Sequence, residues 1–218
     1  GQTIKSTTVF DYTNDTLTTS STFRGQSNAL KISDVVLTDT PIRSTTLYSG
    51  FEGEEKAQRT FNYNYVGDKI KTTTLFHYTD DVLDKSITYR GNVTQEANLQ
   101  GEVPSAPKRS VTLYSGYEGE EKAQITYNFN YAGDKIKTLT KFEYDDKDTL
   151  FESTTFRALD NQGVIPADFN DLKAATRSIT KYSGFEGEEK AVRTWNYNFA
   201  GQTIKSTTVF DYTNDTLT

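Results

Sequence analysis

The feature that most constrains the fold is an internal repeat. The YSG tripeptide that ends at Gly50 recurs at nearly even spacing, ending at Gly116 and again at Gly184. The opening segment 1–18, GQTIKSTTVFDYTNDTLT, is also identical to the closing segment 201–218. A period this long indicates one supersecondary unit per copy, stacked so that neighbouring copies bury what a single copy cannot. We therefore predict one continuous repeat module over residues 1–218, with copies at residues 1–66, 67–132 and 133–200 and a partial fourth copy at 201–218.

Glycine and proline positions outline the strands. All 14 glycines fall at predicted turns or loops, and all four prolines lie in the one segment that differs between copies. Because these residues interrupt strands, the stretches between them are strand candidates. In the second copy the candidates are residues 69–78, 82–90, 108–115 and 122–131. Four strands per copy, joined mostly by short hairpin turns, predict roughly 13 strands in an antiparallel meander.

Period-2 alternation within these strands predicts that each is half-buried. In the strand at residues 69–78, Ile70, Phe76 and Tyr78 share one face, while Lys71 and His77 share the opposite, more polar face. β-branched and aromatic residues fit a pleated sheet, and almost nothing in the chain has the period of a helix. The predicted fold class is all-β, an antiparallel β-meander forming an extended single sheet or an open solenoid. Propeller blades are a further alternative, although three copies are too few to close a ring.

Long inserts join the second and third strands of each copy, at residues 25–42, 91–107 and 158–176. We predict that they fold over the aromatic face of the sheet, because uncovered strips of Tyr, Phe and Trp would promote association. In the third insert Pro166 is suitably placed to open a short helix, with Phe169 and Leu172 on its apolar side.

Composition excludes several classes of function. The chain has no cysteine, which excludes disulfides and thiolate metal sites. Its net charge is −6 with Lys and Arg spread along the strands, so we expect no nucleic-acid partner. No stretch approaches the roughly 20 apolar residues that span a bilayer, so we expect no membrane insertion.

The acidic loop FEGEEKA, nearly unchanged between copies, is the first candidate metal site. Glu52, Glu54 and Glu55 are carboxylates of the kind that hard cations prefer. The loop lacks the spaced Asp and Asn ligands of calcium loops, so a solvated connection between strands is the favoured interpretation.

The Asp-rich turns and the one histidine are the other candidates for site chemistry. The turns contain Asn14 and Asp15, Asp80 and Asp81, and Asp145, Asp146 and Asp148. Asp and Asn are also the preferred turn residues, so we expect no specific metal there. His77 has no catalytic partner within its copy, and we interpret it as an exposed side chain. We predict no cofactor, no metal and no enzymatic activity.

An aromatic row on the fourth strands carries two interpretations. The residues are Phe61, Tyr63, Tyr127, Phe129, Trp195 and Tyr197. Rings at repeated strand positions pack across strands as core pairs, which is the favoured interpretation. The alternative is a stacking platform for a glycan, since flat rings with polar edges suit carbohydrate faces.

A common pattern covers the first hairpin of each copy: an aromatic residue, a Tyr-containing turn, an Asp, then Leu and a closing aromatic residue. It is seen in residues 76–91, FHYTDDVLDKSITYRG, and in their counterparts FDYTNDTLTTSSTFRG and FEYDDKDTLFESTTFRA. This pattern resembles the YD-type repeats of bacterial secreted and surface proteins, without their YD-x-x-GR core. The unit as a whole looks more like an open-sided β-meander tandem repeat of such proteins. The resemblance implies a bacterial protein at the cell surface or outside the cell, with no catalytic residues to carry over.

These observations favour a non-catalytic structural repeat, a spacer or adhesive segment of a larger exported protein. The alternative is a carbohydrate-binding module that uses the aromatic face or the inserts. Expected partners are a second copy of the chain, joined through sheet edges or the aromatic face, or a glycan.

Overall fold

A computed structural model describes residues 4–35, 40–98, 101–160, 163–213 and 216–217. Parts of the predicted first and fourth copies (residues 1–3, 214–215 and 218) and of the three inserts (36–39, 99–100 and 161–162) lie outside the described residues. The chain divides into two compact units, Gly1–Lys108 and Arg109–Thr218. In the described residues no helix has the length and apolar character needed to cross a membrane.

The strands of the first unit follow chain order, each pairing antiparallel with the next. They are β1 Ser6–Thr13, β2 Thr16–Arg24, β3 Ile42–Ser49, β4 Lys56–Tyr63, β5 Ile70–Thr79 and β6 Val82–Arg90. The insert between β2 and β3 contains one 3₁₀ turn at Ile32–Asp34.

The second unit has the same arrangement. Its strands are β7 Lys108–Ser115, which begins at the boundary, β8 Lys122–Phe129, β9 Ile136–Tyr144, β10 Leu150–Ala158, β11 Ala174–Ser183, β12 Lys190–Tyr197 and β13 Ile204–Val209, followed by a small separate hairpin of β14 Tyr212–Thr213 and β15 Thr216–Leu217. Within each unit the strands follow chain order and pair antiparallel, so the predicted all-β open meander of about four strands per copy is confirmed.

Turn chemistry explains where strands begin and end. Asp80 and Asp81 both have positive φ, 49° and 67°, as a two-residue type I′ hairpin turn requires. The strand predicted at residues 122–131 ends at Phe129 instead. The reason is Asn130, whose Oδ1 accepts hydrogen bonds from the backbone N–H groups of the turn that follows, including Gly133 at 2.9 Å. Asn64 and Asn198 act in the same way in the other copies.

One side of each sheet packs against the inserts, and we call it the insert face. In the first unit, Val35 of the first insert packs with Val9 and Phe23 of β1 and β2. Val103 of the second insert is buried, and its N–H donates to the Tyr89 hydroxyl at 2.8 Å. The prediction that the inserts cover aromatic side chains of the sheet is confirmed for these contacts.

The insert face of the second unit has the same construction. The predicted short helix forms as a 3₁₀ turn, Phe169–Asp171, whose N-cap Asp168 accepts from the Asn170 N–H. The ring of Phe169 lies 5.1 Å from that of Phe156 on β10, and Leu172 is buried. The turn begins after the position that Pro166 indicated, and its apolar residues are those predicted.

The opposite side, which we call the hydroxyl face, carries pairs of threonines directly across from each other. Within each pair the two Oγ1 atoms are 2.8 to 3.0 Å apart. The pairs are Thr8–Thr22, Thr46–Thr60 and Thr74–Thr88 in the first unit, and Thr112–Thr126, Thr140–Thr155 and Thr180–Thr194 in the second. Each hydroxyl thus satisfies its neighbour, and the side chains are exposed or only half-buried.

The assignment of faces on β5 differs from the sequence prediction. The polar-looking side, with Thr73, Leu75 and His77, is the insert face, whereas Phe76 and Tyr78 lie on the other side. Thr73 and Leu75 are buried, and Thr73 pairs directly with Phe61 of β4 and Tyr89 of β6. The neighbouring strands therefore decide which side is covered, since a strand with apolar residues on both sides suits either orientation.

Candidate functional site

The loop between the third and fourth strand of each copy folds the same way in all three copies. Gly50, at φ +138°, leads into a tight turn in which the Glu54 N–H donates to the Phe51 carbonyl at 2.9 Å. A Cβ at Gly50 would lie 2.6 Å from the Glu54 carbonyl oxygen, so only glycine fits. The turn directs the Phe51 side chain outward, where 83% of it is exposed, and Tyr117 and Phe185 are 82% exposed in the same position.

The last glutamate of the loop binds the neighbouring hairpin. Glu55 Oε1 accepts from the Leu17 N–H at 2.8 Å, and Glu189 Oε1 accepts from the Leu150 N–H at 3.0 Å. These backbone N–H groups stabilise the charged form and hold the pKa of both carboxyls below the ordinary value of 4.5. Each carboxylate thus connects two hairpins of its own unit.

This arrangement changes the interpretation of the predicted cation set. Both carboxylate oxygens of Glu55 accept backbone hydrogen bonds, from the N–H groups of Leu17 and Gly53. Glu52 and Glu54 are exposed beside it. Across the described ranges, no group of three or more His, Cys, Asp or Glu residues is placed to hold a metal ion.

A lysine and a tyrosine meet behind each of these loops. The Nζ of Lys56, Lys122 and Lys190 lies 5.8, 5.9 and 5.6 Å from the ring centroids of Tyr78, Tyr144 and Tyr212, respectively. Each tyrosine hydroxyl donates to a backbone carbonyl on the adjacent fourth strand, at 2.9 to 3.0 Å. The ring therefore has a fixed position, and the ammonium group lies within cation–π distance of it.

Acidic side chains hold Lys122 further in place. Its Nζ lies 2.6 Å from Glu186 Oε1 of the next loop and 3.7 Å from Asp148 Oδ1 of the β9–β10 turn. The hydrogen bond to Glu186 raises the pKa of Lys122, while burial raises the pKa of Tyr144. Lys56 makes a similar pair with Asp81 at 2.9 Å in the first unit.

Two equivalent clefts of the second unit lie against these groups, and we call them the loop clefts. One has a volume of about 640 Å³ and the other about 570 Å³. At equivalent positions both clefts are lined by a serine, a glycine, an exposed aromatic ring, a glutamate, a lysine and a tyrosine. In the larger cleft these are Ser115, Gly116, Tyr117, Glu120, Lys122 and Tyr144. In the other they are Ser183, Gly184, Phe185, Glu188, Lys190 and Tyr212. A cleft with ring faces and both signs of charge can bind a polar ligand that has an apolar surface.

The predicted aromatic platform is distributed over separate strands. Tyr127 and Phe129 on β8 are buried, whereas Trp195 and Tyr197 on β12 are half-buried, with the Arg193 guanidinium 5.8 Å from the Trp195 ring. In the first unit Phe61 and Tyr63 on β4 are also half-buried. Strands β9, β10 and β11 lie between β8 and β12. Within the second unit, the ring pair on β8 and the ring pair on β12 are therefore separated by three strands.

His77 is half-buried rather than exposed, which corrects the sequence prediction. Its Nδ1 lies 2.7 Å from Asp84 Oδ1 on β6, and its side chain is 26% exposed. The second insert covers it, since a Cβ added at Gly101 would lie 2.5 Å from the His77 Cδ2 atom. The histidine thus has an acidic partner in the sheet that its position in the sequence did not reveal.

The Asp-rich turn of the third copy is organised by its own backbone. Asp145 Oδ1 accepts from the N–H groups of Lys147 and Thr149 at 2.9 and 3.0 Å. These hydrogen bonds lower the pKa of the Asp145 carboxyl. Asp148 takes a left-handed conformation at φ +60°. The acidic residues here build the turn, as do Asn14 and Asp15 in the first copy.

Sequence reasoning identified the acidic loop but missed its ring. The available signal was the aromatic residue that precedes EGEEKA in every copy, Phe in two copies and Tyr in one. The lysine–tyrosine contact had no signal in the sequence. In every copy the lysine and the tyrosine lie on two separate strands, and they meet only when those strands come together.

Comparisons with known proteins give no family. No protein family matches the sequence, and no curated protein matches it. Among solved structures, a Bacteroides fragilis protein of unknown function is similar over 80% of this chain and 91% of its own, at 11% identity and a TM-score of 0.27. A porin-like protein from Bacteroides uniformis is similar over 96% of this chain and 85% of its own, at 11% identity and a TM-score of 0.33. Similarity at this level leaves the fold to be described from the strand pairing itself.

Proposed function

We propose that this chain is a non-catalytic structural segment, a spacer or adhesive stalk of a larger bacterial protein exported to the cell surface. The observation that supports this proposal is that the most closely repeated residues form contacts between neighbouring hairpins and loops. In FEGEEKA the last glutamate binds a neighbouring hairpin, as Glu55 and Glu189 do, and Lys122 binds Glu186 of the next loop. Repeated residues therefore join one piece of the array to the next.

Contacts of this kind suit a chain that grows by adding copies. In repeat arrays, stability is approximately the sum of the stability of each repeat and of the interfaces between neighbours. A further copy brings its own loop glutamate and lysine, so it forms the same contacts again. Length can thus change without a new interface, which is what a spacer requires.

Among the described residues, several titratable groups that lie close together make structural contacts. His77 and Asp84 bind each other beneath the second insert, and Asp145 binds its own turn. These contacts support the proposal that the chain is non-catalytic and uses no cofactor.

A copy-number experiment tests the proposal. One further copy of residues 67–132 is inserted in tandem, and urea unfolding and small-angle scattering are measured for both lengths. We expect the m-value to rise with the added copy in one cooperative transition, because m scales with the surface exposed on unfolding. The maximum dimension should also increase. Two separate unfolding transitions, together with an unchanged maximum dimension, would contradict a spacer whose copies are joined by continuous strand pairing.

A matched pair of variants tests whether the loop glutamate joins the hairpins. Glu189→Gln removes the charge that accepts from Leu150, whereas Glu188→Gln changes an exposed neighbour in the same loop. We expect Glu189→Gln alone to lower the urea midpoint. Equal midpoints for the two variants would show that the contact does not hold the array together.

We also propose self-association through the sheet edge. In the described residues β13 pairs with β12 only, and all its side chains are exposed. An unpaired edge offers backbone N–H and C=O groups to a second copy. Sedimentation velocity should detect dimers that Val209→Lys weakens, because a charged edge residue disfavours strand addition. An unchanged dimer fraction would exclude this edge.

A further inference from the structure

The contacts of Phe51, Tyr117 and Phe185 do not explain why their exposed positions carry aromatic rings. Each is more than four-fifths exposed, and within the described ranges none has a side-chain hydrogen bond or a ring contact. The position nevertheless keeps an aromatic residue in all three copies while Phe changes to Tyr. A ring this exposed, with no such contact in the described part of the chain, suits contact with another molecule.

The surroundings of these rings indicate what that molecule is. Each loop cleft of the second unit has the exposed ring at its side, a second ring, Tyr144 or Tyr212, and hydrogen-bonding groups on a lysine and a glutamate. A sugar ring has one apolar face, which stacks on an aromatic ring, and an edge of hydroxyls, which bind lysine and carboxylate groups.

We propose that the loop clefts are binding sites for a neutral glycan, with the rings of Tyr117 and Phe185 stacking on successive parts of it. Phe51 occupies the equivalent loop in the first unit. Since two such clefts recur in the second unit, a polymeric glycan engages both of them, and the combined affinity exceeds that of one cleft. These residues differ from those of the aromatic platform predicted from the sequence.

Charge favours a neutral glycan over a membrane surface or a nucleic acid. The loop that carries Tyr117 also carries Glu118, Glu120 and Glu121, and the cation behind it, Lys122, is paired with Glu186. Acidic side chains around the ring repel lipid and nucleic-acid phosphates. The same argument disfavours uronic acid polymers, whose carboxylates would meet these glutamates.

Affinity electrophoresis of the full chain tests this inference. The native gels contain galactomannan, mixed-linkage β-glucan or amylopectin as neutral probes, and polygalacturonate as the anionic comparison. We expect retardation by at least one neutral polysaccharide and none by polygalacturonate. No retardation by any of the three neutral polymers, or retardation by polygalacturonate alone, overturns the proposal.

Variants then locate the site. With the polysaccharide that retards the chain, Tyr117→Ala should weaken binding about three- to tenfold, the factor that one aromatic contact contributes. The triple variant F51A/Y117A/F185A should abolish retardation. These side chains are exposed, so circular dichroism and the urea midpoint of the triple variant should remain those of the wild type.

A matched control uses three equally exposed rings in the turns that join one copy to the next. Tyr65, Tyr131 and Phe199 are 80%, 86% and 75% exposed, but Tyr65 and Phe199 lie near the Arg24 and Arg157 guanidinium groups at 5.1 and 5.7 Å. The variant Y65A/Y131A/F199A should keep full retardation. Loss of retardation in this control but not in F51A/Y117A/F185A overturns the assignment of the site. The urea and copy-number results are independent of this outcome, so failure here is distinguishable from failure of the spacer proposal.

Discussion

The insert face and the hydroxyl face belong to the same strands, yet they are stabilised in different ways. On the insert face, Phe23, Tyr89 and Tyr127 are almost completely buried, at 0%, 0% and 2% exposure. On the hydroxyl face, threonines such as Thr74 and Thr88 bind each other across strands and remain half-buried. Burial of large side chains contributes far more free energy than exposed hydroxyl pairs do. The difference teaches that the core of this sheet forms on the side that the inserts cover.

The largest effect is expected at Tyr89, where a strand and an insert meet. Tyr89→Ala should lower the free energy of unfolding by about 3–5 kcal/mol, as for other buried aromatic residues, measured by urea denaturation. Tyr89→Phe keeps the ring and removes only the acceptor of the Val103 N–H, which should cost about 1–3 kcal/mol. A loss below about 1 kcal/mol for Tyr89→Ala would contradict the idea that this face is the core.

A glycine pair tests how closely the second insert lies on the sheet. Gly101 and Gly91 both have positive φ, +70° and +76°, so alanine is strained at either position. Only at Gly101 would the new Cβ meet the His77 ring, whereas at Gly91 nothing lies within 4 Å. We expect Gly91→Ala to cost about 1–2 kcal/mol and Gly101→Ala to cost clearly more by urea denaturation. Equal losses would show that the insert can move away from His77.

The hydroxyl face should tolerate change better. Thr126→Val keeps the shape of the side chain and removes one hydroxyl of the Thr112–Thr126 pair, so we expect a loss of about 0.2–1 kcal/mol. The double variant Thr112→Val/Thr126→Val leaves no unpaired hydroxyl and should be nearly neutral. A loss as large as that of Tyr89→Ala would remove the contrast between the two faces.

The loop glutamates are expected to contribute less to stability than the buried rings of the insert face. Their folded-state pKa is lowered, so their contribution is fully present above the ordinary value of 4.5 and is lost as the pH falls through the folded pKa. The E55Q/E189Q variant should therefore be less stable than the wild type at pH 7, and the difference should shrink on acidification below 4.5. Urea midpoints at pH 7, 5 and 3 measure this, with E54Q/E188Q as the control. A difference that does not change with pH would exclude the carboxylate charge as the cause.

Much of the fold was predictable because strands and turns are local. Strands β6 and β7 have the bounds predicted from the sequence, Val82–Arg90 and Lys108–Ser115. The hairpin turn at Asp80 and Asp81 follows from residues that tolerate a left-handed backbone. The apolar contacts of Phe169 and Leu172 were also predictable from the pattern of the third insert.

The loop clefts and the partner of His77 were not predictable, since both depend on residues that meet only after the strands pair. Lys122 is far from both Glu186 and Tyr144 along the chain, and no local pattern specifies contacts across such separations. The side of β5 that the insert covers was also ambiguous, because Leu75 and Phe76 are adjacent and point to opposite faces.

By itself the sequence determined the repeat, the strand order and the positions of the hairpin turns, because each follows from residue spacing and from backbone preferences within a few positions. Only the tertiary structure decided which face became the core. The inserts return over one side of the sheet, so Tyr89 is buried there and the threonine pairs remain on the other side. The same pairing places Lys122 and Tyr144 behind an exposed ring and so creates the clefts. The physical reason is that burial depends on which long-range contacts form, and the alternation of a two-sided strand is compatible with either face.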